Sequence, residues 1–182
     1  VFIECVKGYD EAIKYVNGQS RSVRNDRPVI AQFGVNKEGS GDMYYKGALM
    51  LNTIRHIIND DAKWWKLLYN YSETYKKQII DTKTVIDYFN KESGLDLTSV
   101  FNQYLTTTKI PKLVLSKTGN KLSYEWQNVN TDFKMPVDIV INEKTIRLHP
   151  TTSKQETKID KKIKLENIQV KTNQFFIKVE KK

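Results

Sequence analysis

Tyr44 and Tyr45 stand side by side where a glycine- and serine-bearing run, "NKEGSGDM", gives way to Lys46, Gly47 and a strongly patterned apolar segment. A phenol with a pKa near ~10 stays protonated at neutral pH and can donate a hydrogen bond without changing the charge of a site. Two tyrosines at a helix start also serve as core or rim aromatics, and periodicity alone favours that plainer role. Other side chains able to do chemistry are sparse. The chain has two histidines, His56 and His149, and one cysteine, Cys5. No His-Glu-x-x-His, paired cysteines or acidic calcium loop occurs. His56 reads as a surface or packing histidine. Cys5 lies in an apolar helical pattern and reads as a small buried residue, with no second cysteine to pair with. Ser40, between Gly39 and Gly41, has no histidine near it in sequence to act as its base. No strand precedes those glycines, as a phosphate-binding loop requires.

The elements that must position these residues change character along the chain. From Met43 to Leu105 the apolar residues recur at helical spacing. Ala48, Leu51, Ile54, Ile57 and Ile58 fall on one predicted face, with Asn52, Arg55 and Asn59 turned elsewhere. Asp60 or Asp61 is the predicted cap of a second helix with the face Trp64, Leu67, Leu68, Tyr71 and Tyr75. Asp81 or Thr82 caps a third, striped by Val85, Ile86 and Phe89 and stopped by Gly94. A short helix, "LTSVFNQYL", is expected to bury Val100, Phe101 and Leu105. Residues 1–17 read as one more helix and 18–42 as an irregular loop. Beyond Pro111 the period becomes two. Hairpins are predicted at Gly119-Asn120, with Leu122, Tyr124 and Trp126 on one face, and at Asn142-Glu143. Further strands are expected at "KQETKI" and "QFFIKVE", which together make a small antiparallel β-sandwich. The expectation is an α + β chain of two units, residues 1–108 helical and 109–182 strand-rich.

Composition narrows the class. Hydrophobic residues make up 39% and charged residues 28% of the 182, which suits a globular chain with a core. No apolar run approaches the ~20 residues of a membrane span, and the opening residues lack the basic start and cleavage site of a secretory signal. The chain begins inside an apolar run without a capping residue, as a piece cut from something longer would. The net charge of +9 is uneven: residues 1–108 carry 14 basic and 13 acidic side chains, and residues 109–182 carry 16 and 8. A basic β-sandwich contacting an anionic partner is therefore an alternative function. The lysines at 154, 158, 161, 162 and 164 have no interleaved aromatics for base stacking, however, so a solvated face is the expectation and nucleic acid is not an expected partner.

An ordered set of segments goes further. "YYKGALML", "INDDAKWWKLL", "DTKTVIDYFNKESGLDLTSVFNQYLTTTKIPKL" and "LSYEWQNVNTDFKMPVDI" resemble, in that order, the latter half of the aminopeptidase N family of zinc metallopeptidases, the gluzincin type. The matching motifs are Tyr-x-Lys-Gly at Tyr44–Gly47, Gln103-Tyr104-Leu105, Ile-Pro-x-Leu at Ile110–Leu113 and Phe-x-Met-Pro at Phe133–Pro136. The resemblance is good over roughly residues 40–150. It implies a helical subdomain, the C-terminal half of a thermolysin-like catalytic domain, followed by the sandwich.

The resemblance also implies the roles. Tyr44 would be the catalytic residue, its hydroxyl pointing into a zinc cleft and donating to the oxyanion formed when water attacks a peptide carbonyl. Tyr45 occupies the family's variable position. Zinc is implied for the full-length parent, with its ligands and its water-activating glutamate upstream of Val1. No metal is expected in this chain, and Glu4 and Glu11 read as a solvated helix face. The implied partners are peptide substrates and the missing N-terminal half of the same protein. The 182 residues alone are expected to be inactive and to expose an apolar patch where that half packs. Asp42 is the expected helix cap, Lys46 a rim residue, and Gly47 a point of close helix approach. The loop "RSVRNDRPVIAQFGVN" is a candidate cleft wall. These residues do not fix a compartment; a periplasmic or cell-envelope setting is an expectation for the parent.

Overall fold

The computed structural model describes residues 1–32 and 34–182. Among these residues six α-helices precede seven short strands. α1 (Phe2–Lys7) and α2 (Tyr9–Gly18) lead through a 3-10 turn (Gln19–Ser22) and an irregular loop into α3 (Asp42–Ile58), α4 (Asp61–Tyr75), α5 (Thr82–Ser93) and α6 (Thr98–Thr106). The predicted single helix over residues 1–17 is two, because Gly8 has φ +86°. That region is open to glycine at little cost, and it turns the chain between the two helices.

The other helix ends follow local chemistry. The Asp60 carboxylate accepts from the Lys63 N–H at 2.9 Å and that of Asp81 from Thr84 at 2.7 Å, each filling a donor orphaned at a helix start. Gly94 closes α5 at φ +72° in the left-handed region. The buried face of α3 is wider than predicted. It carries Leu49, Met50, Thr53, Ile54 and Ile57 and also Arg55 and His56, whereas Leu51 is exposed. In α6 the buried residues are Ser99, Val100, Phe101, Gln103 and Tyr104, while Leu105 is half-buried. Cys5 is exposed, because α1 contributes no buried residue; Phe2 and Val6 are exposed beside it.

The strands are β1 (Lys112–Thr118), β2 (Lys121–Gln127), β3 (Val137–Ile141), β4 (Lys144–Leu148), β5 (Gln155–Lys158), β6 (Gln169–Val170) and β7 (Lys178–Lys181). They form two sheets, ordered β5-β2-β1-β7 and β4-β3-β6. The hairpin β1–β2 turns at Gly119 and pairs Leu113 with Trp126 and Leu115 with Tyr124. β3–β4 turns at Asn142 and Glu143, both at positive φ as a tight two-residue hairpin requires. One pair departs from the antiparallel expectation: β7 runs parallel to β1, after a long return through β5 and β6. β6 has no counterpart among the predicted strands. The expected α + β architecture, a helical part followed by a small sandwich, is what the chain forms.

Leu113, Leu115, Leu122 and Trp126 of one sheet meet Val137, Ile139, Ile141 and Leu148 of the other. The same apolar cluster continues into Ile54, Ile57, Phe89, Phe101 and Tyr104 of the helices. Polar contacts bind the parts as well. The Tyr104 hydroxyl donates to the Phe176 carbonyl at 2.7 Å, and the Phe176 N–H donates to Thr53 Oγ1 at 3.0 Å. No described helix is long and apolar enough to cross a membrane.

Candidate functional site

The candidate site is the first turn of α3. Successive residues of an α-helix are ~100° apart, so Tyr44 and Lys46 point to nearly opposite sides. Lys46 points in. It is 1% exposed, and its ammonium donates to the Thr107 carbonyl at 2.7 Å. That carbonyl belongs to the C-cap residue of α6, where the helix dipole favours a cation. Burial pushes the Lys46 pKa down, and the Asp42 charge partly offsets this. The expected rim position of Lys46 is thus corrected. Stepping by three or four residues from Lys46 reaches Leu49, Met50 and Thr53, all buried.

Asp42 is not the helix cap either. It lies inside the first turn and is itself buried. Its two carboxylate oxygens accept the backbone N–H groups of Arg24 and Asn25 at 2.9 and 2.7 Å. The Ser40 hydroxyl donates to Asp26 at 2.7 Å, and the Ser40 N–H donates to the Pro28 carbonyl at 3.0 Å. The described part of the loop from 18 to 42 is therefore tied back onto the start of α3. Phe33, in the proposed cleft wall, lies outside the described residues. Gly39 is required by this fold-back: a Cβ there would sit 2.0 Å from the Val29 carbonyl oxygen. A Cβ at Gly47, by contrast, would meet nothing within 4 Å, so close helix approach is not its role.

With its neighbours anchored inward, Tyr44 faces out. It is 74% exposed, and no hydrogen bond engages its hydroxyl among the described residues. Tyr45 is 40% exposed and lines a hollow of about 160 Å³ with Arg24, Asp26, Arg27 and Ser40. A larger cavity, of about 500 Å³, lies elsewhere, beside Ile57 and Ile58 at the far end of α3. At ~1.5 Å rise per residue that is ~20 Å from Tyr44.

The two histidines stay apart from this site. His56 is buried; its Nδ1–H donates to the Asn52 carbonyl at 2.7 Å, which leaves Nε2 to accept from the Tyr9 hydroxyl at 2.8 Å. Burial pushes its pKa down, against a smaller upward effect of the Asn52 bond. It is a packing histidine. His149 is exposed. Among the described residues no three His, Cys, Asp or Glu side chains form a group that could hold a metal ion. Glu11 pairs with Lys14 at the surface, as expected of a solvated face.

Glu4 does not behave that way. Its carboxylate takes both terminal nitrogens of Arg55 at 2.7 and 2.8 Å, while Asp61 takes Nε and Nη2 at 2.8 Å each. The Arg55 guanidinium lies over the rings of Tyr9 and Trp65, 5.2 and 4.9 Å from their centroids. This cluster ties α1 to α3 and α4. The lysines at 154, 158, 161, 162 and 164 are all exposed.

No family model matches the sequence, and no curated protein matches it. Among solved structures the likeness is to an aminopeptidase fold. The aminopeptidase A of Legionella pneumophila, determined in complex with aspartic acid, superposes with a TM-score of 0.59 at 10% identity, over 76% of this chain and 18% of that one. At that identity the likeness is one of fold alone, and this chain spans less than a fifth of the length of that neighbour.

Proposed function

We propose that this chain is part of a zinc-dependent aminopeptidase of the aminopeptidase N type, and that Tyr44 is its oxyanion donor. The observation that carries this reading is the division of the first turn of α3. Asp42 and Lys46 are anchored inward, and the Tyr44 hydroxyl is left outward and unengaged. The order of the motifs from Tyr44 to Pro136 and the aminopeptidase-like fold support it. When water attacks a peptide carbonyl, negative charge collects on the carbonyl oxygen. A phenol fixed on a helix donates its hydrogen bond to that oxygen and keeps its proton. Such a donor lowers the barrier by ~3 kcal/mol, about a hundredfold in rate.

Zinc and the glutamate that activates the water would be held by residues outside these 182, as would the acidic groups that bind the free amine of a peptide. The loop before α3 would form part of the cleft wall.

The test is hydrolysis of aminoacyl-coumarin substrates by a protein extended upstream of Val1, with and without Tyr44→Phe. The expected result is a kcat about a hundredfold lower in the variant, with KM little changed. Because Tyr44 is exposed, the melting temperature should hold. A variant that keeps the wild-type rate would refute Tyr44 as the donor, and an inactive extended wild-type protein would refute the peptidase.

A further inference from the structure

Of the 16 basic residues beyond position 108, 15 are lysines, and the one arginine, Arg147, is spent on Asp138 and two carbonyls. Strand register draws six of these lysines to one end of the β5-β2-β1-β7 sheet. Lys117 and Lys121 flank the β1–β2 turn, and Lys121 stands directly opposite Lys158 across the β2–β5 pair. Beyond Lys158 the chain stays against that turn. The Ile159 N–H donates to the Asn120 carbonyl at 2.9 Å, and the Lys117 ammonium donates to the carbonyl of Lys161, 44 residues on, at 3.1 Å. Lys162 and Lys164 follow in the same segment.

That segment is pinned from within. Ile159, Ile163 and Leu165 pack against the core, while Lys158, Lys161, Lys162 and Lys164 are exposed. The acids nearby do not cancel the charge. Glu156 pairs with Lys121 at 2.9 Å, and Asp160 accepts the Lys162 backbone N–H at 2.9 Å. Among the described residues Lys158, Lys161, Lys162 and Lys164 make no ion pair. Counting Glu166 as well, the six lysines keep three positive charges in excess, and β7 adds Lys181 and Lys182 with one acid, Glu180. Like charges set directly opposite on neighbouring strands, as Lys121 and Lys158 are, cost stability. Solubility alone is served by interspersed charge; a field of one sign gathered at one end attracts an oppositely charged partner.

The residue types choose among anionic partners. Nucleic acid is gripped by guanidinium forks and aromatic platforms, and this end offers lysines only. A protein partner needs apolar area at the centre of its interface, and among the described residues no exposed large apolar side chain lies in 117–121 or 154–166. Lysine is a hydrated point charge, suited to the diffuse negative charge of a lipid leaflet. We propose that this end of the sandwich docks on an anionic lipid bilayer, held by charge and without insertion. The surface is independent of Tyr44 and of the peptidase reading.

The test is co-sedimentation of the 182-residue chain with vesicles of phosphatidylcholine alone or with about 30% phosphatidylglycerol. Binding is expected only to the anionic vesicles, at about 50 mM salt, and should be lost by about 500 mM, where the Debye length is about 4 Å. A lysine near such a surface contributes about fivefold, so Lys161→Gln with Lys162→Gln should weaken binding about 25-fold. Both side chains are exposed, and the melting temperature should hold. Lys66→Gln with Lys91→Gln, exposed on the helices, removes the same charge and should leave binding within about twofold. An equal loss in the two pairs would overturn the patch, because net charge alone would then be at work. Equal binding to phosphatidylcholine, binding that survives high salt, or no binding at low salt would overturn the lipid surface. So would tighter binding to a random-sequence DNA duplex than to the vesicles.

Discussion

Replacing Asp42 by alanine tests the idea that the loop before Tyr44 is held by one buried carboxylate. Asp42 is 2% exposed and accepts two backbone N–H groups from Arg24 and Asn25, 18 and 17 residues earlier in the chain. A hydrogen bond to a charged acceptor is worth about 1.5–3 kcal/mol, so the pair sets a ceiling of roughly 6 kcal/mol. The loop can relax and let the freed N–H groups reach water, which brings the expected loss to about 3 kcal/mol. Asp42→Asn keeps the volume and one acceptor oxygen but turns an NH2 group toward a donor; about 2 kcal/mol is expected there.

Urea unfolding followed by far-ultraviolet circular dichroism reads the global effect. With a slope of about 2 kcal/mol per molar urea, the midpoint of Asp42→Ala should fall by about 1.5 M. Amide hydrogen exchange reads the local one. The Arg24, Asn25 and Ser40 amides should lose protection well beyond the global change, because only they depend on the fold-back, while α4 to α6 change together. A midpoint shift below about 0.3 M would refute the energetic reasoning. Arg24 and Asn25 amides that stay protected would show that something other than Asp42 holds the loop.

Arg55→Met should undock α1, which has no buried residue of its own and is held through Glu4. Amide protection over Phe2–Lys7 should collapse while α3 to α6 keep theirs, and retained protection there would count against the clamp. His56 gives a pH dependence of known sign. Its folded pKa lies below the unfolded value of ~6.5, so its contribution is flat above that pH and stability falls as pH drops through it. A stability slope between about pH 7 and 5 that vanishes in His56→Gln is expected. The depressed carboxyls of Asp61 and Asp81 act in a separate window, below about pH 4, and an unchanged slope in the variant would exclude His56 as its source.

What was legible in the sequence was local. The caps at Asp60 and Asp81, the stop at Gly94 and the turns at Gly119 and Asn142-Glu143 each rest on contacts within a few residues, and each formed as the chemistry of those residues dictates. Cys5 and Leu51, read as buried, are exposed, and the misplaced charged side chains have partners far along the chain. Glu4 and Arg55 are 51 residues apart, Lys46 and Thr107 61, and the two strands of the parallel β1–β7 pair about 65. A charged residue on a helix is assigned to solvent by default, because burying it unpaired is costly. Only the fold shows whether a partner waits. Yet one signal was available in advance. Lys46, Met50, Thr53 and Ile57 recur at helical spacing along a single stripe, and three of the four are residues a core accepts readily. A lysine in register with such a stripe is one whose stem is packed and whose ammonium must find a carbonyl or a carboxylate. The α6 C-terminus, with its unsatisfied carbonyls, is the kind of partner that satisfies it. The buried lysine thereby orients the helix turn that carries Tyr44. Reading the stripe before the charge assigns Lys46 to the scaffold and leaves Tyr44, on the opposite side, facing outward.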